Sequence, residues 1–290
     1  MKNKTYIIAE AAQGYEGSVD LAKLLIKAAK SAKADAVKFQ VVYADGVCEK
    51  NYKHYDLYKK LELTQEQWQE IRDFAKKNEL DFLVDVSSNI SFDIIKNIDV
   101  DGLKLHATNF FNNELIENIL SLGKQFYLSV GGINNNEIVD FIDRYKLSDI
   151  NAVILFGFQA EPTPIESNNL LRLNSLKKLT GLEIGFMDHS EAGSAYDVSL
   201  SVLALGMGVR IFEKHITLDR ELEIEDYISA LTPKEFLNYT HIIKNLPNAF
   251  GSAKLELNEN ELKYRKNVLK KVVATKNLYK GDRVKSDDIR

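Results

Sequence analysis

The chain has 290 residues, 45% of them hydrophobic and 28% charged, a balance that excludes disorder over most of its length. No apolar run approaches the ~18 residues of a membrane-spanning helix. The 38 basic and 42 acidic residues, for a net charge of −4, leave no basic footprint for nucleic acid. Cys48 is the single cysteine, so an internal disulfide and a paired-cysteine metal site are both ruled out. The first apolar stretch covers only residues 6–9, too short for a secretory signal, and a cytoplasmic protein is expected.

In chain order, short β-branched or apolar runs alternate with helix-length amphipathic stretches. Strands are predicted over 6–10, 36–41, 81–86, 102–106, 125–130, 152–156, 183–186 and 209–213. A helix is predicted over 19–33, with Leu21, Leu24, Leu25 and Ala28 on one face. Another is predicted over 64–77, opened by Thr64 as N-cap and Gln67 as its third-position partner. The stretch 192–207 is apolar nearly all round and reads as a buried helix. Eight strand–helix units in this length predict a (β/α)8 TIM barrel, an α/β fold. The competing open sheet would carry a glycine-rich turn after its first strand, and Ala11-Ala12-Gln13-Gly14 is no such turn. The barrel is expected over 1–247, a charged irregular linker over 248–266, and a short strand pattern over 267–290, too small for its own core.

Barrel chemistry sits at the C-terminal strand ends. Those ends carry Glu10, then Lys38 and Gln40, Asp85, Lys104 and His106, Ser129, Gln159 and Glu161, Asp188 and His189, and His215. Lys38 and Lys104 interrupt apolar strands, where a lysine is costly unless it meets an anion. They read as an anion site, or alternatively as side chains reaching to solvent. His189 and His215 stand one strand–helix–strand unit apart and can share a divalent ion. Asp188 and Glu213 are expected to support them as hydrogen-bond acceptors. Two unrelated histidines are the alternative. Glu10 reads as a general base, an acceptor for sugar hydroxyls, or a salt-bridge partner of Lys38.

The segments AEAAQGYEGS, ADAVKFQ, GLKL, YLSVGG, EPTP, IGFMDHS and FEKHITLD, in that order, resemble the sialic acid synthase family. The resemblance runs from residue 7 to 226, and its specific part is the DHS and EKHITLD pair. The tail LKKVVATKNLYKGDRVKSDDI resembles the opening of that family's C-terminal antifreeze-like domain, here incomplete. The resemblance implies a metal-dependent condensation of phosphoenolpyruvate with an open-chain N-acetylmannosamine-type sugar to a nine-carbon 2-keto-3-deoxy acid. It also implies a homodimer, while the charge balance and the shortness of the apolar runs lead us to expect no nucleic-acid or membrane partner. By that resemblance His189 and His215 hold Mn2+ or Mg2+. Lys38 and Lys104 anchor the donor's phosphate and carboxylate, with Ser129 beside them. Glu10 and Gln40 meet the sugar and the reacting centre, Gln159 lines the substrate site, and Asp226 accepts a sugar hydroxyl. The departures fall mostly on positions that in that family help hold the donor or the sugar. Asp85 stands where a threonine is usual, Leu105-His106-Ala107 where a serine follows the lysine, Phe156-Gly157-Phe158-Gln159 where the family has its sixth-strand segment, Glu161 for an aromatic, and Met187 for a serine. A related barrel enzyme with another donor, or a non-catalytic sugar-acid binder, are the competing readings.

Overall fold

The computed structural model describes residues 4–290, so the barrel boundary expected at residue 1 lies outside the described residues. Eight strands form one closed parallel barrel. They are β1 (Tyr6–Ala12), β2 (Ala36–Val41), β3 (Asp81–Val86), β4 (Gly102–Leu105), β5 (Gln125–Ser129), β6 (Ala152–Phe156), β7 (Glu183–Asp188) and β8 (Ile211–His215). Closure is made by β8 on β1, with Tyr6 opposite Ile211 and Glu10 opposite His215. The open-sheet alternative is thereby excluded.

Strand side chains alternate between two faces, and here the two faces are chemically distinct. The outward set, including Ile7, Ala9, Val37, Phe39, Phe82, Val84, Leu103, Phe126, Ile154 and Phe212, joins the main core under the helices. The inward set is a smaller apolar plug of Ile8, Ala36, Leu83, Tyr127, Val153, Leu155 and Met187. One step further along six of the strands the inward positions turn polar: Glu10, Lys38, Asp85, Lys104, Ser129 and Glu213, all buried. The plug therefore floors a charged layer. It fits only because two inward positions lack a side chain. A Cβ on Gly102 would lie 2.9 Å from Leu83 Cδ2, and one on Gly185 would lie 2.6 Å from Leu155 Cδ2.

The helix Val19–Ser31 buries Ala22, Leu25, Ile26, Ala28 and Ala29, and the Leu21 N–H donates to the Ser18 cap. The helix Gln65–Lys77 begins on the expected capping box of Thr64 and Gln67. Its Trp68 meets the Tyr15 ring edge-on, 5.1 Å between centroids, which ties the first βα loop to the outer core.

Four expectations need correction. The last strand runs Ile211–His215, two residues later than predicted. The fourth ends at Leu105, and His106 caps the short turn that follows. Only Ser199–Gly206 of the predicted 192–207 helix is helical. Leu203 in it is exposed, because an all-apolar sequence carries no signal for which face a barrel covers. Finally, the chain from Phe250 onward is a separate compact unit. Within it Glu259–Val268 is a helix with its own Asn258–Glu261 capping box, where irregular linker was expected. Its terminal stretch folds back through paired hydrogen bonds between Val273 and Arg290, and Ala274 and Ile289 form an isolated antiparallel bridge. Among the described residues no helix is long and apolar enough to cross a membrane.

Candidate active site

The charged layer on the plug is one network. Lys38 Nζ lies 2.6 Å from Glu10 Oε2 and is also paired with Glu213 Oε2. Lys104 Nζ lies 2.8 Å from Glu213 Oε1 and 3.5 Å from Asp85 Oδ2. Glu213 thus bridges from β8 to the lysines of β2 and β4. Each of these side chains is at most 3% exposed, so desolvation is large and mutual pairing is what makes their ionisation tolerable. Burial alone would raise Glu213, but the lysines outweigh it and hold it well below the usual carboxylate range. Lys104 is held above its ordinary value because its carboxylates outweigh burial. Glu10 is pushed up to about 7, chiefly by burial. Of the three readings of Glu10, the salt bridge to Lys38 is the one present in the structure.

Beside this layer, His189 follows β7 and His215 ends β8, with ring centroids 5.1 Å apart. Both are buried. Burial lowers His189 to about 4 and His215 well below its ordinary value, so both rings are neutral with lone pairs free to ligate. His189 Nδ1 is buried with no hydrogen-bond partner, which a bound cation would satisfy. Glu161, from the loop after β6, completes a group in which one ligand atom from each of the three residues lies within 4.8 Å of the others. The donor set therefore fits a divalent ion. Asp226 Oδ2 stands 3.5 Å from His215 Nδ1, and burial pushes this carboxyl up to about 8.

The other expected site residues also face the barrel mouth. Gln40 Oε1 accepts from Gln13 Nε2 at 2.8 Å. Gln40, Asp85, His106 and Asn109 line a cavity of about 550 Å3 together with Tyr52 and Tyr58. The Thr108 N–H donates to His106 Nδ1 at 3.3 Å, and His106 Nε2 faces the Gln159 amide at 3.1 Å. Ser129 Oγ is buried without a hydrogen-bond partner and Asp85 Oδ2 has only its longer ion pair with Lys104.

Two assignments change. Asp188 does not support a histidine. It faces outward, where Oδ1 lies 3.2 Å from Lys214 Nζ and Oδ2 accepts from Ser201 Oγ at 2.8 Å. Glu213 points inward but serves the lysines. Strand parity carries the reason: in IFEKH, Glu213 and His215 share the inner face and Lys214 takes the outer one. That parity was readable in the sequence and would have placed Lys214, which sequence reasoning missed. Glu161 stands in the sequence as a rim residue and a departure, with nothing to join it to the histidines, because no spacing rule links the sixth strand's loop to them.

The fold and site define a closed parallel (β/α)8 barrel whose mouth carries a buried lysine–carboxylate network and a histidine–glutamate group that could hold a metal ion. Residues 25–255 match the NeuB family, and the chain belongs to that family. It is 28% identical over 288 residues to an uncharacterised protein of Methanocaldococcus jannaschii, covering 98% of this chain and 83% of that protein. It is also 28% identical to the N,N'-diacetyllegionaminic acid synthase of Legionella pneumophila, covering 98% and 84%. Among solved structures it resembles an N-acetylneuraminic acid synthetase of Leptospira borgpetersenii in complex with citrate. That match has a TM-score of 0.82 at 27% identity and covers 92% of this chain and 93% of the other. The sugar-acid synthases among these relatives make this chain a sialic acid synthase-like enzyme.

Proposed function

We propose that the protein condenses phosphoenolpyruvate with an N-acetylmannosamine-type aldehyde sugar to a nine-carbon 2-keto-3-deoxy acid, acting as a cytoplasmic homodimer. The observation that carries this reading is the junction at one barrel mouth of two neutral histidines with the Lys38–Glu10–Glu213–Lys104 network. A bound Mn2+ or Mg2+ would polarise the aldehyde oxygen. Lys38 and Lys104 hold the donor's anionic groups, exchanging part of their carboxylate pairing for it, with the free Ser129 hydroxyl beside them. The donor's methylene carbon bonds to the aldehyde carbon, whose oxygen takes up a proton. Water adds at the next carbon, losing a proton, and phosphate leaves with cleavage of its C–O bond. Glu10, with its carboxyl near 7, takes and returns those protons. Gln40 orients the reacting centre, and Gln159 and Asp226 hold sugar polar groups.

One observation favours a second reading. Asp85, Glu10 and Glu213 oppose only Lys38 and Lys104 in the buried layer, which suits a donor carrying less negative charge than phosphoenolpyruvate. Incubation of the chain with Mn2+, phosphoenolpyruvate and either N-acetylmannosamine or a 2,4-diacetamido-trideoxy hexose tests the first. Release of phosphate together with the condensed acid by mass spectrometry is expected. Neither product with any such acceptor would favour the second reading.

A further inference from the structure

We propose that Glu161 is a third protein ligand, so that this chain holds its divalent ion by two imidazoles and a carboxylate before any substrate arrives. The proposal rests on the metal-dependent reading above and deepens it. Two neutral histidines alone retain a cation weakly, and the coordination shell is then finished by solvent or substrate. Here a carboxylate oxygen lies within 4.8 Å of a ligand nitrogen of each histidine. An anionic oxygen next to two neutral nitrogens is the donor set that divalent first-row ions accept.

The position of Glu161 is built. Its Oε1 accepts the Ser229 N–H at 3.1 Å. The Ser229 hydroxyl donates to the His189 carbonyl at 2.8 Å, and the Thr163 N–H donates to that same carbonyl at 2.9 Å. The loops after β6 and β8 are therefore both stitched to the backbone of one ligand residue. Such outer contacts fix a ligand's direction and commonly govern metal affinity about 10–100-fold. His189 Nδ1, buried and without a hydrogen-bond partner, is an independent sign that this imidazole lacks a polar contact in the structure. A merely structural Glu161 would need only a neutral acceptor for Ser229.

That last point supplies the experiment. Glu161→Gln keeps an amide oxygen for the Ser229 N–H and removes the anionic ligand. Mn2+ is titrated into the metal-stripped full chain without substrate and followed by loss of the free-ion paramagnetic resonance signal. The parent is expected to bind one Mn2+ per chain, Glu161→Gln to bind at least tenfold more weakly, and Glu161→His, which restores a ligand, to recover part of the loss. His189→Ala is the reference for removal of a ligand. Binding by Glu161→Gln as tight as the parent's, with His189→Ala weakened, would overturn the proposal and leave the histidine site standing. A parent that binds no Mn2+, Co2+ or Zn2+ would overturn it as well. A failure of the condensation assay leaves this titration unaffected, so the two readings fail separately. Should Glu161→Gln fold poorly by circular dichroism, Glu161→Ser, a neutral side chain too short to ligate, takes its place: Mn2+ binding at least tenfold weaker than the parent's is expected, and parent-like binding with His189→Ala weakened would overturn the proposal.

Discussion

At the scale of single residues, Glu213 is the hinge of the buried charge layer. Among the described residues it is the one carboxylate paired with both lysines. Removing one member of a buried ion pair leaves an uncompensated charge, at a cost of about 3–5 kcal/mol. Glu213→Ala is therefore expected to lower stability by that order, read as a shift in the urea midpoint at unchanged slope. A loss below about 1 kcal/mol would mean that water screens the pair despite its burial. Asp85 matters in a different way. It faces inward and competes with any ligand phosphate for Lys104 at 3.5 Å. Two unit charges ~4 Å apart interact by roughly 4 kcal/mol at an effective dielectric of 20, so a small fraction of that repulsion is already large for binding. Asp85→Thr is expected to tighten phosphoenolpyruvate about tenfold in calorimetric titration with Mn2+ present, which corresponds to about 1.4 kcal/mol. Unchanged affinity would show that Lys104 screens Asp85 fully.

At the scale of elements, β7 and β8 are joined on their outer face by a second buried network. Lys214 Nζ reaches Asp188 Oδ1, the Ser190 carbonyl at 2.9 Å and Ser190 Oγ at 3.1 Å. Tyr239 OH, from the helix Pro233–Asn245, donates to Ser201 Oγ at 2.9 Å, and Ser201 in turn donates to Asp188. These contacts pin the two strands that end in the histidines against their own helices. Tyr239→Phe removes one outer hydrogen bond and should cost about 1 kcal/mol with metal affinity nearly unchanged. Lys214→Met strands Asp188 and should cost about 3–5 kcal/mol, measured by chemical denaturation. The reverse order of these two would mean that the Tyr239 end, not the ion pair, holds the strands. The Thr64 cap is remote from all of this, and Thr64→Ala should cost only about 1 kcal/mol.

At the scale of the whole molecule, stability should depend on pH in a direction set by the site. Glu10 and Glu161 are raised to about 7 and Asp226 to about 8 by burial. For such carboxyls the folded state binds more protons than the unfolded state, so stability falls as pH rises from the ordinary carboxylate value through 7 to 8. His189, lowered to about 4, works the other way: its contribution is lost as pH falls from the ordinary histidine value toward 4. Glu213, held far below the ordinary carboxylate value, adds stability that is lost on acidification below that ordinary value. The metal-free protein should therefore melt highest in mildly acidic buffer and lower at pH 8. Mn2+, which favours ionised Glu161, should raise the melting temperature more at pH 8 than at pH 6. An equal shift at both would argue that no raised carboxyl joins the ion.

Much of this molecule is legible along the chain itself. The alternation of strand and helix lengths gave the eight-stranded barrel, since burial on both faces of a parallel strand leaves a short apolar run. Lysines inside AVKFQ and LKL, and histidines one unit apart, marked the mouth because a charge in an apolar strand requires a partner. Local rules also fixed the Thr64 cap, whose two partners are three residues apart. What the linear sequence could not decide are the partnerships made by closure. Glu213 meets Lys38 across 175 positions and Lys104 across 109, and Glu161 meets Ser229 across 68. The direction of Asp188, the exposed face of Ser199–Gly206 and the place of Glu161 beside the histidines all belong to this class. Each depends on which strand or loop lies next to which once the barrel has closed, and that is a property of the tertiary structure alone.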